Sequence, residues 1–359
     1  MNDIIIMKKK QIFDEKIKKN NIRNNSIDAF RVICAVMIVS IHTSPFYEIN
    51  QTLGLVMSKI IPRIAVPFFF CTTGYYYINK LKMEKRILFP TLWKLIKIYS
   101  LWSFIYFAKD FIRIYSNNKN ISIWLLQCMK KFFVYGSTTH LWYFPAIIFC
   151  IIITTIFNKY NKLHLLVYVS IVLYIVGCLG DAYYAFGSKI YFIRDLIKYQ
   201  NYNLIRTIIL YALPSFLVGY FLNKYKNNIL KVKISKLKIA LSISILVFLI
   251  EIITVLKFDL SKSITITIFL YPLLICVMCL LIKNPIKNIN INTRYFHGIS
   301  SFMYYSHPLF FTTIPTILEK SMDIKISNTL IFILTVLSTS LVSIVIIKIN
   351  NKNLNILIS

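Results

Sequence analysis

Acidic residues are scarce in this 359-residue chain: 13 Asp and Glu stand against 42 Lys and Arg, a formal net charge of +29. In a soluble protein that excess would point to nucleic acid. Here the basic residues gather in short connections between apolar runs, so membrane topology explains them better and no nucleic-acid partner is expected. The seven cysteines give no disulfide framework, being odd in number and lying mostly in apolar runs. Cys276 and Cys279 form a C-x-x-C inside such a run and read as packing, since a free Cys behaves as a small hydrophobe. Neither H-x-x-x-H nor H-E-x-x-H occurs among the 5 histidines, so no metal is expected. Also missing are repeats, low-complexity linkers and any long polar stretch, which leaves one integral domain. No small-x-small cleavage site follows Val32 to Ile41, and the first apolar run is therefore expected to stay attached.

Apolar residues are abundant. They make up 57% of the chain, with a mean hydropathy of +0.64, whereas soluble domains run at about 45–50%. The expected fold is all-α, a polytopic helix bundle embedded in the lipid bilayer of the cell membrane. A scan for runs of about 20 apolar residues finds ten: 27–46, 55–79, 90–112, 141–157, 164–182, 204–222, 237–256, 263–282, 297–318 and 327–348. Ten spans put both termini on one side. Segments assigned to the cytoplasm carry roughly twice the Lys and Arg of the outer ones. Residues 1–26 then form a basic cytoplasmic tail, 27–348 the transmembrane domain and 349–359 a second cytoplasmic tail. Two outer connections are sizeable, 121–134 and the Tyr-rich 183–203, and both read as walls of an outward-facing acceptor site.

The first run carries Asp28, Arg31 and His42 within a membrane-length segment, IDAFRVICAVMIVSIHTSPF. Ionisable groups in hydrocarbon are costly, and function is their default reading. At 100° per residue, Arg31 and His42 return to within about 20° of the same face, roughly 16 Å apart along the axis. A cation near one surface and a titratable base deeper in suit a long anionic molecule whose reactive end reaches inward. The second run contains Arg63-Ile-Ala-Val-Pro67-Phe-Phe-Phe-Cys-Thr-Thr-Gly74-Tyr, where Pro67 and Gly74 loosen the helix. Arg63 falls at a depth comparable to His42, where a fixed cation stabilises an oxyanion or binds an anionic acceptor. A basic cluster, Lys80-x-Lys82-x-x-Lys85-Arg86, precedes Pro90 and suits phosphates. His140-Leu-Trp142 opens the fourth run, where a hydrogen bond and ring stacking would orient a sugar. Asp181 closes the fifth run and Arg206 opens the sixth, both near the outer interface, while Glu251 is the most buried acid by sequence. His307 lies near mid-membrane with Pro308 disturbing the helix beside it.

Taken together and in this order, Asp-x-x-Arg with His eleven residues on, Arg-x-x-x-Pro-Phe-Phe-Phe…Thr-Gly-Tyr, Lys-Arg-Ile-x-x-Pro, His-Leu-Trp and Tyr-x-x-His-Pro resemble the acyltransferase 3 family of membrane proteins. The family also includes the membrane domain of vancomycin-resistance serine racemases. The resemblance implies a membrane acyltransferase moving an acyl group, usually acetyl, from cytoplasmic acetyl-CoA to a hydroxyl or amine of a cell-envelope glycan or other small acceptor. It implies catalytic roles for His42, Arg31 and Arg63, donor binding by Arg31, Lys85 and Arg86, and acceptor contacts at His140, Trp142, Asp181 and His307. His42 is then a general base or an acyl-carrying nucleophile. Four departures stand out: Thr73 replaces the usual Ser, Lys85 replaces the first Arg of its motif, Pro90 comes one residue later than that motif has it, and no Glu-Glu follows Trp142. The last distances the chain from the peptidoglycan and lipopolysaccharide O-acetylases. Similarity to the serine-racemase branch also admits a carrier for a small polar solute such as an amino acid, although with the sequence ending at Ser359 no racemase domain is expected. Association into a homo-oligomer is compatible with either reading.

Overall fold

The computed structural model describes residues 24–83, 87–116, 120–199, 202–286, 293–322, 326–351 and 354–358, and all regular structure among them is helical. Helix α1 (Asn25–Thr43) starts where Asn24 turns extended and its side-chain oxygen accepts from the amides of Ser26 and Ile27, filling two of the orphan donors of the first turn. It ends at Ser44 in the left-handed conformation, whose amide closes on Ser40. A short helix (Gln51–Leu55), a π turn (Val56–Ile60) and a 3-10 turn (Ile61–Ile64) lead into α2 (Ala65–Met83). Then follow α3 (Leu88–Ser116), the amphipathic α4 (Ile121–Lys130), α5 (Tyr143–Lys159), α6 (Leu163–Gly180) and α7 (Tyr191–Lys198). A turn of helix (Tyr202–Ile205) and a seven-residue π segment (Arg206–Ala212) precede α8 (Leu213–Lys224). The remaining long helices are α9 (Ile234–Lys257), α10 (Leu270–Lys283), α11 (Thr293–Met322) and α12 (Asn328–Ile349).

Among the described residues, six helical stretches are long and apolar enough to cross a membrane: Asn25–Thr43, Gln51–Leu81, Leu163–Gly180, Tyr202–Lys224, Ile234–Lys257 and Asn328–Ile349. Tyr143–Lys159 and Leu270–Lys283 are apolar but shorter. Large side chains along α9 (Ile239, Ile243, Leu246, Ile250, Ile253) and α12 (Leu337, Leu341, Val345) are exposed. Faces of that kind suit hydrocarbon, not water. The protein is an integral membrane helix bundle.

The most extensive contact joins α2 to α8. Two glycines make it possible. A Cβ on Gly219 would sit 1.8 Å from the Cys71 carbonyl oxygen, and one on Gly74 2.0 Å from that of Phe216. The backbones therefore touch, as small residues allow in membranes. Gly74 thus serves packing as well as any loosening of its helix. Pro67 is the third residue of α2, just after the 3-10 turn Ile61–Ile64.

One expected span differs in a way that shapes the site. The run 263–282 is helical only from Leu270, and residues 258–269 form no helix. Within them Ser263, Thr265 and Thr267 alternate with isoleucines, a period-two pattern whose hydroxyls compete for backbone bonds. Two buried carboxylates hold this segment. Asp181 Oδ2 accepts from the Ile266 amide at 2.9 Å, and Glu251 accepts from the amides of Ile268 at 2.7 Å and Phe269 at 3.0 Å. Irregular backbone at membrane depth survives only where the protein satisfies it.

Candidate functional site

Three histidines converge where α1 ends. His42 occupies the last turn of α1, and its ring centroid lies 5.1 Å from that of His307 in α11. His307 in turn lies 5.0 Å from His140, which sits in the turn before α5. Phe311 stacks against His42 at 6.2 Å and meets His307 at 6.1 Å. His140 and His307 are buried, whereas His42 is exposed because it opens onto a cavity.

Backbone chemistry fixes two of these rings. Pro308 has no N–H and its ring interrupts the helical ladder of α11. His307 Nδ1–H donates to the Tyr304 carbonyl released there, at 2.9 Å, and also reaches the Met303 carbonyl at 3.1 Å. The proton is therefore on Nδ1, and the basic lone pair is on Nε2, a buried atom with no hydrogen-bond partner. His140 is held oppositely. Its Nε2–H donates to the Tyr305 carbonyl at 3.0 Å, leaving Nδ1 of the neutral ring to accept from the Thr138 hydroxyl at 3.1 Å. Tyr304 donates its hydroxyl to the His140 carbonyl at 2.7 Å, and Tyr106 donates to Tyr305 O at 2.7 Å. Among the described residues, nothing hydrogen-bonds the ring of His42, so its nitrogens are available to a substrate.

The cavity has a volume of about 210 Å³. Its walls come from α1, the turn around Arg63, the His140 turn, the π segment at Arg206, the non-helical segment at Thr265 and Ile266, and Tyr304. A π turn takes more residues than an α turn and so re-aims side chains around the axis. Pro214 at the start of α8 lacks the donor an α ladder would need there, and the π register runs immediately before it. That register brings Arg206, Thr207 and Tyr211 to the cavity. Arg63 Nη1 donates to Thr265 Oγ1 at 3.3 Å. Arg206 Nη1 lies 3.5 Å from Asp181 Oδ1. Neither arginine's Nε has a partner, and both guanidinium groups are half-buried.

Of the residues singled out in the sequence, His42, Arg63, His140, Trp142 and Arg206 line this one cavity, with Asp181 and His307 directly behind its wall. Arg31 does not line it. That guanidinium lies toward the other end of α1, 3.8 Å from Asp28 and 5.5 Å from the centre of the Phe69 ring. Lys85 and Arg86 lie outside the described residues. Neither 121–134 nor 183–203 contributes a lining residue. Glu251, rather than facing solvent or Lys257, also accepts from the Tyr183 hydroxyl at 2.6 Å. A second hollow of about 250 Å³ opens at the start of α3 between Trp93, Lys94, Lys97 and Ile356. Tyr304, which opens the Tyr-x-x-His-Pro motif, lines the cavity, and so do Thr207, Tyr211 and Thr265, to which the sequence assigned no role. Only the unusual density of hydroxyls in apolar runs marked those three.

Residues 24–348 match the family described as an acyltransferase domain. The chain belongs to the acyltransferase 3 family. The chemistry for which that family is named is the transfer of acyl groups. An amino-acid racemase of Enterococcus faecalis is 32% identical over 182 residues, 49% of this chain and 26% of that protein. Another amino-acid racemase of the same organism is 28% identical over 265 residues, covering 72% of this chain and 36% of its own length. A serine/alanine racemase of Enterococcus gallinarum is 29% identical over 167 residues, 45% of this chain and 24% of the relative. The chain thus spans about a quarter to a third of the curated relatives it matches. No solved structure matches. In this acyltransferase 3 protein, the family's spaced Arg and His fall at opposite ends of one helix, and only the His end meets the three-histidine cavity.

Proposed function

We propose that the protein transfers an acyl group, acetyl in the first instance, from cytoplasmic acyl-CoA to a hydroxyl or amine of a cell-envelope glycan or other small acceptor. The observation that carries this reading is His42: an unbonded, cavity-exposed imidazole backed by two rings whose tautomers the backbone fixes. The accompanying topology has ten spans, made up of the six long apolar stretches, the two shorter ones, α3 and α11. It places residues 1–26 and 349–359 in the cytoplasm and 27–348 in the membrane.

The donor's phosphates meet the Arg31 end, with Arg31, Lys85 and Arg86 supplying positive charge. The second hollow adds Lys94, Lys97 and an aromatic face on Trp93 at the start of α3. The thioester reaches the His42 end along α1, a distance of roughly 16 Å. His42 takes the proton of the acceptor O–H or N–H as the new bond to the carbonyl carbon forms. The C–S bond then breaks, and the departing thiolate recovers that proton from the imidazolium. Arg63 stabilises negative charge in the cavity. His140 and Trp142 orient the acceptor. Transfer by way of an acyl-histidine uses the same residue.

The decisive experiment measures acetyl-CoA binding and acyl transfer by purified protein in lipid nanodiscs. His42→Gln retains polarity but removes the base, and should lose about 10²–10⁴ in transfer rate while still binding acetyl-CoA. Near-normal transfer by that variant overturns the assignment of His42. Changing Lys85 and Arg86 together to Ala should weaken acetyl-CoA binding.

A carrier for a small polar solute is the second reading. It draws on the non-helical segment 258–269 beside the cavity, since carriers place sites at interrupted helices, and on the racemase names of the relatives. Absence of any acetyl-CoA binding, together with His42-dependent solute uptake by cells, favours it.

A further inference from the structure

The charges around the cavity do not balance. Arg63 and Arg206 both line it, and the carboxylate paired with either of them is Asp181. That carboxylate is already divided: Oδ1 faces Arg206 Nη1 at 3.5 Å, a long contact for a charge-assisted bond, while Oδ2 accepts from the Ile266 amide. Arg63 has only the Thr265 hydroxyl. Among the described residues, no acid lies within ion-pair distance of Arg63. Both Nε–H groups are buried and unbonded. Two guanidinium groups half-removed from water, with one carboxylate that reaches only Arg206, are a standing positive site, because desolvated charge is costly until an opposite charge completes it. A transition-state oxyanion exists only in passing, so it does not account for a surplus present in the resting protein.

We propose that the cavity binds its acceptor through an anionic group, a carboxylate or a phosphate, held chiefly by Arg206 with Arg63 beside it. The π segment Arg206–Ala212 aims Arg206 into the cavity, and Asp181 steadies the guanidinium without neutralising the pair. A fork of N–H donors matches either anion in a bidentate manner. The volume sets the size of what enters. At about 210 Å³ it exceeds the roughly 150 Å³ of an engineered cavity that takes up benzene. That is room for a small molecule or the terminal unit of a longer one, not for an oligosaccharide. The word acceptor rests on the acyl-transfer reading, whereas the binding of an anion does not.

The test uses the full chain in nanodiscs without acetyl-CoA, titrated with matched probes that differ in charge. The pairs are glycerate against glyceramide, glucuronate against glucose, and glycerol 3-phosphate against glycerol. Inorganic phosphate serves as competitor. In at least one pair the anionic member should bind tenfold or more tighter than its neutral partner. The pair that shows this tells carboxylate from phosphate. Arg206→Gln should erase the preference, and Arg206→Lys should restore part of it. If no anionic probe outbinds its partner in wild-type protein, the proposal is overturned, whether or not the variants fold. A preference that survives Arg206→Gln overturns the assignment of that residue. Acyl transfer to glycerol and glucose as fast as to their anionic partners sinks the proposal and leaves the transfer reading standing. A failure of acetyl-CoA turnover with the anion preference intact does the reverse.

Discussion

The same two stretches of chain behave differently at their two ends. Beyond Ala65 and Leu213, α2 and α8 are regular helices, and Gly74 and Gly219 bring their backbones into contact. Before those residues the same stretches turn irregular, through the π and 3-10 turns that carry Arg63 and the π segment that carries Arg206. Close helix contact needs small side chains and an uninterrupted ladder. A cavity at membrane depth needs the opposite, a backbone wide enough to re-aim cations and enough polar partners to satisfy the bonds it frees. The seam provides a fixed base, and the irregular ends build the site upon it.

Three changes break or sharpen that contrast. The largest effect should come from the seam. Gly219→Ala puts a methyl 1.8 Å from the Cys71 carbonyl, so the helices must separate. Overpacking of this sort costs about 1–3 kcal/mol, and more where backbone blocks relaxation. The midpoint of thermal unfolding in detergent should fall, with the cavity losing activity alongside. An unchanged midpoint would show the seam to be soft. A somewhat smaller effect should come from the irregular side. Glu251 accepts three hydrogen bonds, from Tyr183, Ile268 and Phe269. In Glu251→Gln an NH₂ group replaces one accepting oxygen, and loss of a bond to a charged group costs about 1.5–3 kcal/mol. Amide hydrogen exchange across 262–269 should speed up while that of α2 stays slow. Equal acceleration in both would mean that the segment and seam are one cooperative unit. The smallest effect belongs to Thr73, whose hydroxyl meets that of Tyr143 at 3.0 Å below the cavity. Thr73→Ala should cost about 0.5–1.5 kcal/mol, and Thr73→Ser close to nothing, since the hydroxyl is kept. A large loss in the serine variant would point to the methyl group as the part that matters.

Much of the frame was legible in the residues. The spans along the chain agree with the helices to within a few residues because hydropathy reports desolvation directly. The spacing of Arg31 and His42 placed them on one helix at different depths because helical geometry is local. Asn24 as an N-cap is a local fact of the same kind that went unread, and Pro67, read as loosening its helix, stands near the start of α2. What hydropathy misread was 263–269, since it measures apolarity and is blind to whether an apolar stretch is helical. The competing hydrogen bonds there come from Asp181 and Glu251, carboxylates held on other elements of the chain. Gly74 was likewise read as a loosened helix when its partner is the Phe216 carbonyl across the seam.

The sequence by itself determined that this is a helical membrane protein, which helix bears the Arg and His pair, and which side chains are too costly to sit in hydrocarbon idly. Only the tertiary structure decided that His42, His140 and His307 share one cluster, and that Arg63 and Arg206 face one cavity with a single divided carboxylate. The physical reason is range. Desolvation and helical periodicity act over a few residues and are written locally. Tautomers, charge balance and close backbone approach depend on groups from distant helices, which meet only when the bundle packs.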